Sequence, residues 1–473
     1  MKEIVSIHDR YRFEIKIDLL EYDKYNIEYY FFLPSSLNIS HYTYDKSQFY
    51  SSIQRYIRYK NPEISVNSLF DLSNELSPFN RATTYLENLK TNPEDSFIAE
   101  SAIDEMKLLG SIIKEEINRL YLEFEKTKGQ NINDIFMTFS AVEESFEELK
   151  KKINSFAYPQ RISNSFKYVD EYVNLLKIET FSNIIKNFKD FVSKENSDRI
   201  FKWLGKLKEY STLEKYVLIS EKNRDFFLYY RGLLKKFVSS CLFLKAEPSF
   251  NLYYHLVSGV ASAVAMLFAI VVMIYAQVKY SVTSLVFVII AVVSYVFKDR
   301  IKEFVKIAFS KGAGDYIYDR KIKITEPAHN IKIGYIKESF SILGINSIDK
   351  AILDLRNKDN SDVIDEDAKS EMVLKYKKTI KLNHNMIRRY HTRRKRLVNI
   401  LRFSIEDFIK HTDDAEVEYA FFSQDNSIDS FKVKKTYHLN LVVKYFNTSK
   451  DVFFDRYRII FNRSGIMKVE KVF

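Results

Sequence analysis

Residues 256–297 carry a single side chain charged at neutral pH, Lys279, in a run of 42 residues. The run divides into 256–278 and 281–297, joined by Lys279 and Tyr280. At the α-helical rise these segments give roughly 34 Å and 26 Å, against a hydrocarbon core of about 30 Å. The first can span a bilayer, and the second reaches across if Lys298 snorkels and Tyr280 joins it. Soluble cores rarely hold two adjacent helices so free of charge, so the pattern predicts a two-helix transmembrane hairpin. Tyr253, Tyr254 and Tyr295 would lie at one interface, and Tyr275 and Tyr280 at the other.

A hairpin returns the chain to its starting side, so both flanking regions share one compartment. Lys298, Arg300, Lys302, Lys306 and Lys311 follow the second span, whereas the turn offers only Lys279. The positive-inside bias makes that compartment the cytoplasm. The expectation is an inner (plasma) membrane protein with two spans and both termini cytoplasmic. Residues 1–10 have no basic segment followed by an apolar run, so the first span is expected to act as its own insertion signal.

The net charge of +11 is unevenly placed. Residues 298–473 hold 36 basic and 25 acidic side chains, and residues 1–297 are balanced at 37 of each. One cysteine, Cys241, excludes internal disulfides. Only 10 glycines occur, which counts against the phosphate-cradling loops of nucleotide-binding folds.

The pattern on either side of the hairpin predicts an α+β membrane protein in four parts. Residues 1–44 form an antiparallel β element, with strands over 11–19 and 25–33 paired as a hairpin. Residues 45–250 read as a cytoplasmic helical bundle. It opens with a helix over 47–59 and is built on two near-heptad series, Ile103 to Phe124 and Ile132 to Phe156, spaced as in coiled-coil packing. Residues 251–311 hold the hairpin and a juxtamembrane helix. Residues 312–473 form a basic cytoplasmic α+β domain, with an acidic loop over 357–367 and a closing antiparallel sheet of three or four strands packed on a basic helix.

Three groups of residues stand out. Between 375 and 403 there are 11 basic residues and no acidic one. Lys378, Lys381, Arg388, Arg389, Arg393, Arg394, Lys395 and Arg396 of this run are the expected contacts to an anionic partner or lipid headgroup. Lys298, Arg300, Lys302 and Lys306 are expected either on a helix at the cytoplasmic interface or on a plain extension of the second span. Ser258, Gly259, Ser262 and Ala263 repeat at four-residue spacing and allow close helix packing, within the hairpin or between protomers.

A reaction centre is not legible. The eight histidines fall in no metal-binding spacing, and Glu326 with His329 encloses Pro327. His411 beside Asp413 and Asp414 lacks a positioned nucleophile. There is no G-x-S-x-G, Walker A or kinase signature. No cofactor, catalytic residue or metal ligand is expected. The spans contain no internal acid, base or proline, which speaks against a pump or secondary transporter.

The functional expectation is a membrane-anchored, cytoplasmic-facing interaction protein, a scaffold, sensor or effector, whose basic C-terminal domain binds anionic headgroups or an acidic partner. A protein partner or a homo-oligomer is compatible with it, while nucleic acid lacks a supporting motif. Two other classes stay open: a membrane-associated enzyme with a non-motif active site, and a homo-oligomeric pore-forming effector.

Overall fold

A computed structural model describes residues 3–472, apart from 20–21, 41, 72, 250–251, 313–317, 328–329, 359–371, 391–392, 394–395, 414–415, 424–426 and 447–451. The chain begins with β1 (Glu3–Ile7), β2 (Arg12–Leu19), β3 (Lys24–Leu33), α1 (Lys46–Ser52) and β4 (Ile53–Tyr59). Helices follow: α2 (Val66–Leu69), α3 (Pro78–Thr91), α4 (Ser96–Thr127), α5 (Ile132–Asn154), α6 (Gln160–Asn187), α7 (Lys194–Leu213) and α8 (Arg224–Ser239). Next come β5 (Lys245–Ser249), α9 (Leu252–Lys279), α10 (Leu285–Gly312), β6 (Arg320–Glu326), β7 (Ile331–Gly344), α11 (Lys350–Asn357) and β8 (Met372–Leu382). The last elements are α12 (His384–Tyr390), β9 (Leu397–Ser404), α13 (Glu406–Ile409), β10 (Glu416–Phe422), β11 (Ile428–Lys434), β12 (Tyr437–Phe446), β13 (Val452–Asn462) and β14 (Gly465–Lys471).

These elements form two compact units. The first comprises Met1–Ile57, Lys245–Ile387 and Val398–Phe473, and the second Arg58–Leu244 and Arg388–Leu397. The ends of the chain merge because β3 sits inside the C-terminal sheet, between β12 and β8. The expected β2–β3 hairpin does not form: β2 lies beside β1 and β9, and β3 pairs antiparallel with β12 and β8. Nine of the ten residues of β3 are buried, the mark of a strand covered on both faces.

In the first unit an eight-stranded sheet has the order β14-β13-β12-β3-β8-β7-β6-β5, and a four-stranded sheet has the order β1-β2-β9-β4. An aromatic core fills the space between them. Phe31 of β3 stacks on Phe403 of β9 at 4.8 Å, and Phe49 of α1 on Phe340 of β7 at 4.1 Å. On the other face, Ile348 and Ile352 of the α11 region cover Tyr30, Phe32, Val373 and Val442. One seam is sealed where Ile466 donates its N–H to the Arg10 carbonyl at 2.8 Å. Gly465, at φ +131°, is required there, because a Cβ would sit 2.4 Å from the Arg10 oxygen. The outermost strands at the other end are β4 and β5.

Residues 47–59, expected as one helix, split into α1 and β4. The Asp45 side chain and Gln48 form a capping box that starts α1, and the buried Ile53, Ile57 and Tyr59 belong to a strand. The expected basic helix over 375–403 is likewise a strand, a short helix and a second strand. Expected strands over 417–421, 457–461 and 466–472 are present, but not in one sheet of three or four: the first pairs with β11 in a separate two-stranded sheet, and the other two belong to the eight-stranded one.

Among the described residues one helix, Val257–Lys279 within α9, is long and apolar enough to cross a membrane. The expected second span is shortened at its start, where α10 begins at Leu285 instead of Ser281. Ser281–Ser284 turns, and Lys298, Asp299 and Arg300 follow Phe297, leaving roughly 20 Å of uncharged helix. α9 packs against α10, with Ala261, Ala265, Ala276, Phe287 and Ser294 as the buried positions, while Leu267, Val271, Ile274 and Val278 face outward. α10 continues without a break to Gly312, so the juxtamembrane residues extend it and form no separate helix.

In the second unit α4 packs on α3, α6 and α8. Ile103, Met106, Ile113, Ile117, Leu120 and Phe124 of the first expected series are buried, as are Ile135, Phe139, Val142, Phe146 and Leu149 of the second. Asp95 caps the start of α4 by accepting from the N–H groups of Phe97 and Ile98, and Lys128 in the left-handed region ends it.

Candidate functional site

Alternate residues of a strand share one face of its sheet. In the first unit the face toward the aromatic core takes Leu374, Tyr376, Ile380 and Leu382 from β8, and Ile336 and Phe340 from β7. Lys378 and Glu338 occupy the same alternation. The strand register places Arg320 opposite Glu338, Glu338 opposite Lys378, and Lys378 opposite Ile27. A charged row therefore crosses a face whose neighbouring rows are Ile322–Ile336–Ile380 and Phe340–Tyr376–Tyr29.

Glu338 and Lys378 are both wholly buried. The Glu338 carboxylate accepts from the Tyr376 hydroxyl at 2.7 Å through Oε1 and from the Arg55 guanidinium of β4 through Oε2. Lys378 Nζ donates to Asn399 Oδ1 of β9 at 2.5 Å, and the buried Asn399 Nδ2 has no partner. Nearby, Asp319 accepts from Lys46 Nζ at 2.6 Å, the Tyr50 hydroxyl at 3.1 Å and the Phe340 N–H at 2.7 Å. The Arg320 guanidinium lies 4.0 Å from the centre of the Tyr50 ring.

This row meets a cleft of about 400 Å³. Its walls are Arg55, Tyr56 and Ile57 of β4, Ala246, Pro248 and Ser249 of β5, Asp319, Arg320, Lys321 and Ile322, and Ile336 of β7, with Lys378 as the buried wall. Burial pushes the Lys378 amine down to about 8, opposed by Glu338 and reinforced by Arg55. Burial, with Glu338 next, pushes the Tyr376 hydroxyl up, so it stays a donor. Four cations (Arg55, Arg320, Lys378 and Lys46) thus surround two carboxylates. Such a donor-rich concavity complements an anion, and a buried amine titrating near 8 could also act as nucleophile or base.

The expected contact residues scatter. Lys381 is exposed on β8, and Arg388 and Arg389 are exposed on α12. Arg393 turns inward within the second unit, pairing with Glu105 and donating to the Leu76 carbonyl at 2.9 Å. Arg396 is exposed and lies 3.6 Å from Glu63. Arg394 and Lys395 fall outside the described residues, as do His329, Asp414 and most of the acidic loop. Lys298, Arg300, Lys302 and Lys306 line the end of α10, with Lys298 Nζ 3.8 Å from the Tyr295 ring centre. Ser258 and Ser262 are half-buried, linked by a 2.8 Å bond from the Ser262 hydroxyl to the Ser258 carbonyl, whereas Gly259 and Ala263 are exposed.

Asp413 pairs with Lys435 at 2.6 Å, away from any nucleophile–base arrangement. Among the described residues no group of three or more His, Cys, Asp or Glu is placed to hold a metal. Arg55, Glu338, Arg320 and Asn399 are the site residues that composition and motif did not reveal. The signal was there for one of them: Glu338, like Lys378, is a charged residue on an apolar strand alternation. No family model, curated protein or solved structure matches the chain.

Proposed function

We propose that this chain is a membrane-anchored interaction protein facing the cytoplasm, a scaffold, sensor or effector that engages anionic lipid headgroups or an acidic partner. In this reading α9 and α10 form a two-span hairpin, and both flanking regions lie on the cytoplasmic side. The observation that carries it is the pairing of β5 with β6. The strand that leads into α9 and the strand that follows α10 are neighbours, with Ser249 opposite Lys321 and Lys245 opposite Thr325. A chain that leaves a sheet and re-enters it beside its exit has its two helices inserted like a β-hairpin loop, and such an insert returns to its starting side. The outward apolar surface of α9 suits lipid, and the lysines at the end of α10 suit an anionic surface.

Cysteine mapping tests the topology. In a Cys241→Ala background, Ser281→Cys should react with a membrane-impermeant maleimide in intact cells, and Ser249→Cys only in inverted vesicles. Labelling of both positions from the same side would overturn the two-span reading.

A further inference from the structure

We propose that the cleft between β4 and the β5–β6 pair is a phosphate-binding site, and that its ligand is the headgroup of an anionic phospholipid with an exposed phosphate. The proposal rests on the membrane-anchored reading for the source of the ligand, but not for the phosphate chemistry itself.

Charge is the first argument. Glu338 is the one carboxylate in its row and is already engaged by Arg55 and Tyr376, yet Lys378 lies beside it in the register. One carboxylate cannot neutralise both the wholly buried Lys378 and the half-buried Arg55, and burying an uncompensated charge is costly. The Lys378 amine reaches a neutral amide oxygen, and the adjoining Asn399 Nδ2 donor is unpartnered. Arg320 brings a third cation to the same row, its guanidinium 4.0 Å from the centre of the Tyr50 ring. Planar guanidinium groups and an ammonium at the back of a cleft are the donors a tetrahedral anion uses.

Position is the second argument. The cleft is walled by Ala246, Pro248 and Ser249 of β5 and by Arg320 of β6, the strands that root the apolar helices. Ser249 is three residues before Leu252, where α9 begins, a reach of at most roughly 11 Å. An anion bound there sits at the depth where lipid phosphates lie if α9 crosses a bilayer. A cleft of about 400 Å³ has room for a headgroup and not only for an ion.

The test uses the full chain in an uncharged maltoside detergent, titrated by calorimetry with dihexanoyl phosphatidic acid, inorganic phosphate and dihexanoyl phosphatidylcholine. Phosphatidic acid should bind, and phosphatidylcholine far more weakly. Arg320→Ala and Lys378→Met should each weaken phosphatidic acid binding by about tenfold or more, while Arg388→Ala with Arg389→Ala leaves it unchanged. Arg320 is exposed, so its variant reports binding even if Lys378→Met fails to fold. Tighter binding of phosphatidic acid than of inorganic phosphate assigns the lipid as ligand, and equal binding supports the phosphate site with a soluble ester as its source. Binding unaffected by Arg320→Ala, or equal binding of phosphatidylcholine, overturns the proposal. Because no bilayer is used, either result is independent of the cysteine mapping.

Discussion

The two units each bury charge, and they do so in opposite ways. In the second unit, Asp170 of α6 accepts from the hydroxyls of Tyr210 at 2.7 Å and Tyr216 at 2.6 Å, and its charge faces the buried Lys177. Its neighbour Glu171 accepts from the Val217 N–H at 2.8 Å and the Tyr230 hydroxyl at 2.9 Å. Each carboxylate is engaged by donors from α7, α8 and the segment between them, and the buried side-chain atom of α6 left without a partner is an acceptor, Asn174 Oδ1. Around Lys378 in the first unit donors exceed acceptors, the unpartnered atom of Asn399 is a donor, and the network opens on a cleft. Buried charge alone does not mark a site: a closed network holds helices together, and an unbalanced one beside a cavity is shaped for something else.

The comparison breaks first at its carboxylates. Glu338→Gln leaves the buried Lys378 and the half-buried Arg55 without their counter-charge and should cost about 3–5 kcal/mol. Asp170→Asn keeps an acceptor for the tyrosines, removes a charge that burial already disfavours and leaves the buried Lys177 facing the Glu143 charge, so about 1–2 kcal/mol is expected. Hydrogen exchange read separately in β7–β8 and in α6 measures the two costs. Equal costs would mean that the two networks are equivalent.

pH separates them further. Lys378 falls from 10.5 to about 8 in the folded chain. Below pH 8 it is charged in both states and the burial penalty is fully present. Between 8 and 10.5 the unfolded chain holds the extra proton, so stability rises with pH, by roughly 3 kcal/mol in all. Asp170 has the opposite sign. Burial raises it above 3.8, so its contribution is lost as pH rises through the folded value. Calorimetric unfolding across pH should show the alkaline rise, and Lys378→Met should reduce it without removing it, because burial also pushes Lys114 of the second unit down to about 8. Bound phosphate, facing Lys378 together with Arg55 and Arg320 and opposite Glu338, should move the rise to higher pH. A rise undiminished by Lys378→Met would reassign it to Lys114 and Lys177, which burial also lowers.

Much of the fold was legible, and the misses share a cause. β2 and the series on α4 and α5 were visible because each buries one face, which leaves a clean period. β3 was visible as a strand but not in its partners, since pairing across more than 300 residues leaves no local trace. α1 and β4 fused into one expected helix because Phe49, Tyr50, Ile53 and Ile57 fit a helical spacing, and no glycine or proline marks the switch at Ile53. Counting cations over 375–403 hid the alternation of Leu374, Tyr376, Ile380 and Leu382, and with it the position of Lys378 on the inner face. Arg55 and Asn399 lie on other strands, so only the tertiary fold brings them to that lysine.

Smaller changes sharpen the contrast. Tyr216→Phe removes one of the two hydroxyl donors of Asp170 and should cost about 1–3 kcal/mol, seen as faster hydrogen exchange in α6. It should have no effect on phosphatidic acid binding. A loss of binding in this variant would show that the closed network is coupled to the ligand after all.

Arg320→Ala should change stability least, by under about 0.5 kcal/mol, because an exposed arginine resting on a tyrosine ring contributes little to folding. Its effect on binding should be among the largest. That dissociation is the signature expected of a group held for a ligand: the fold does not depend on it, and the anion does. In the closed network every comparable substitution moves stability and leaves binding alone. Thermal unfolding and phosphatidic acid titration of the same Arg320→Ala preparation decide the matter together. A large stability loss with unchanged binding would place Arg320 with the tyrosines of the second unit, as a structural group.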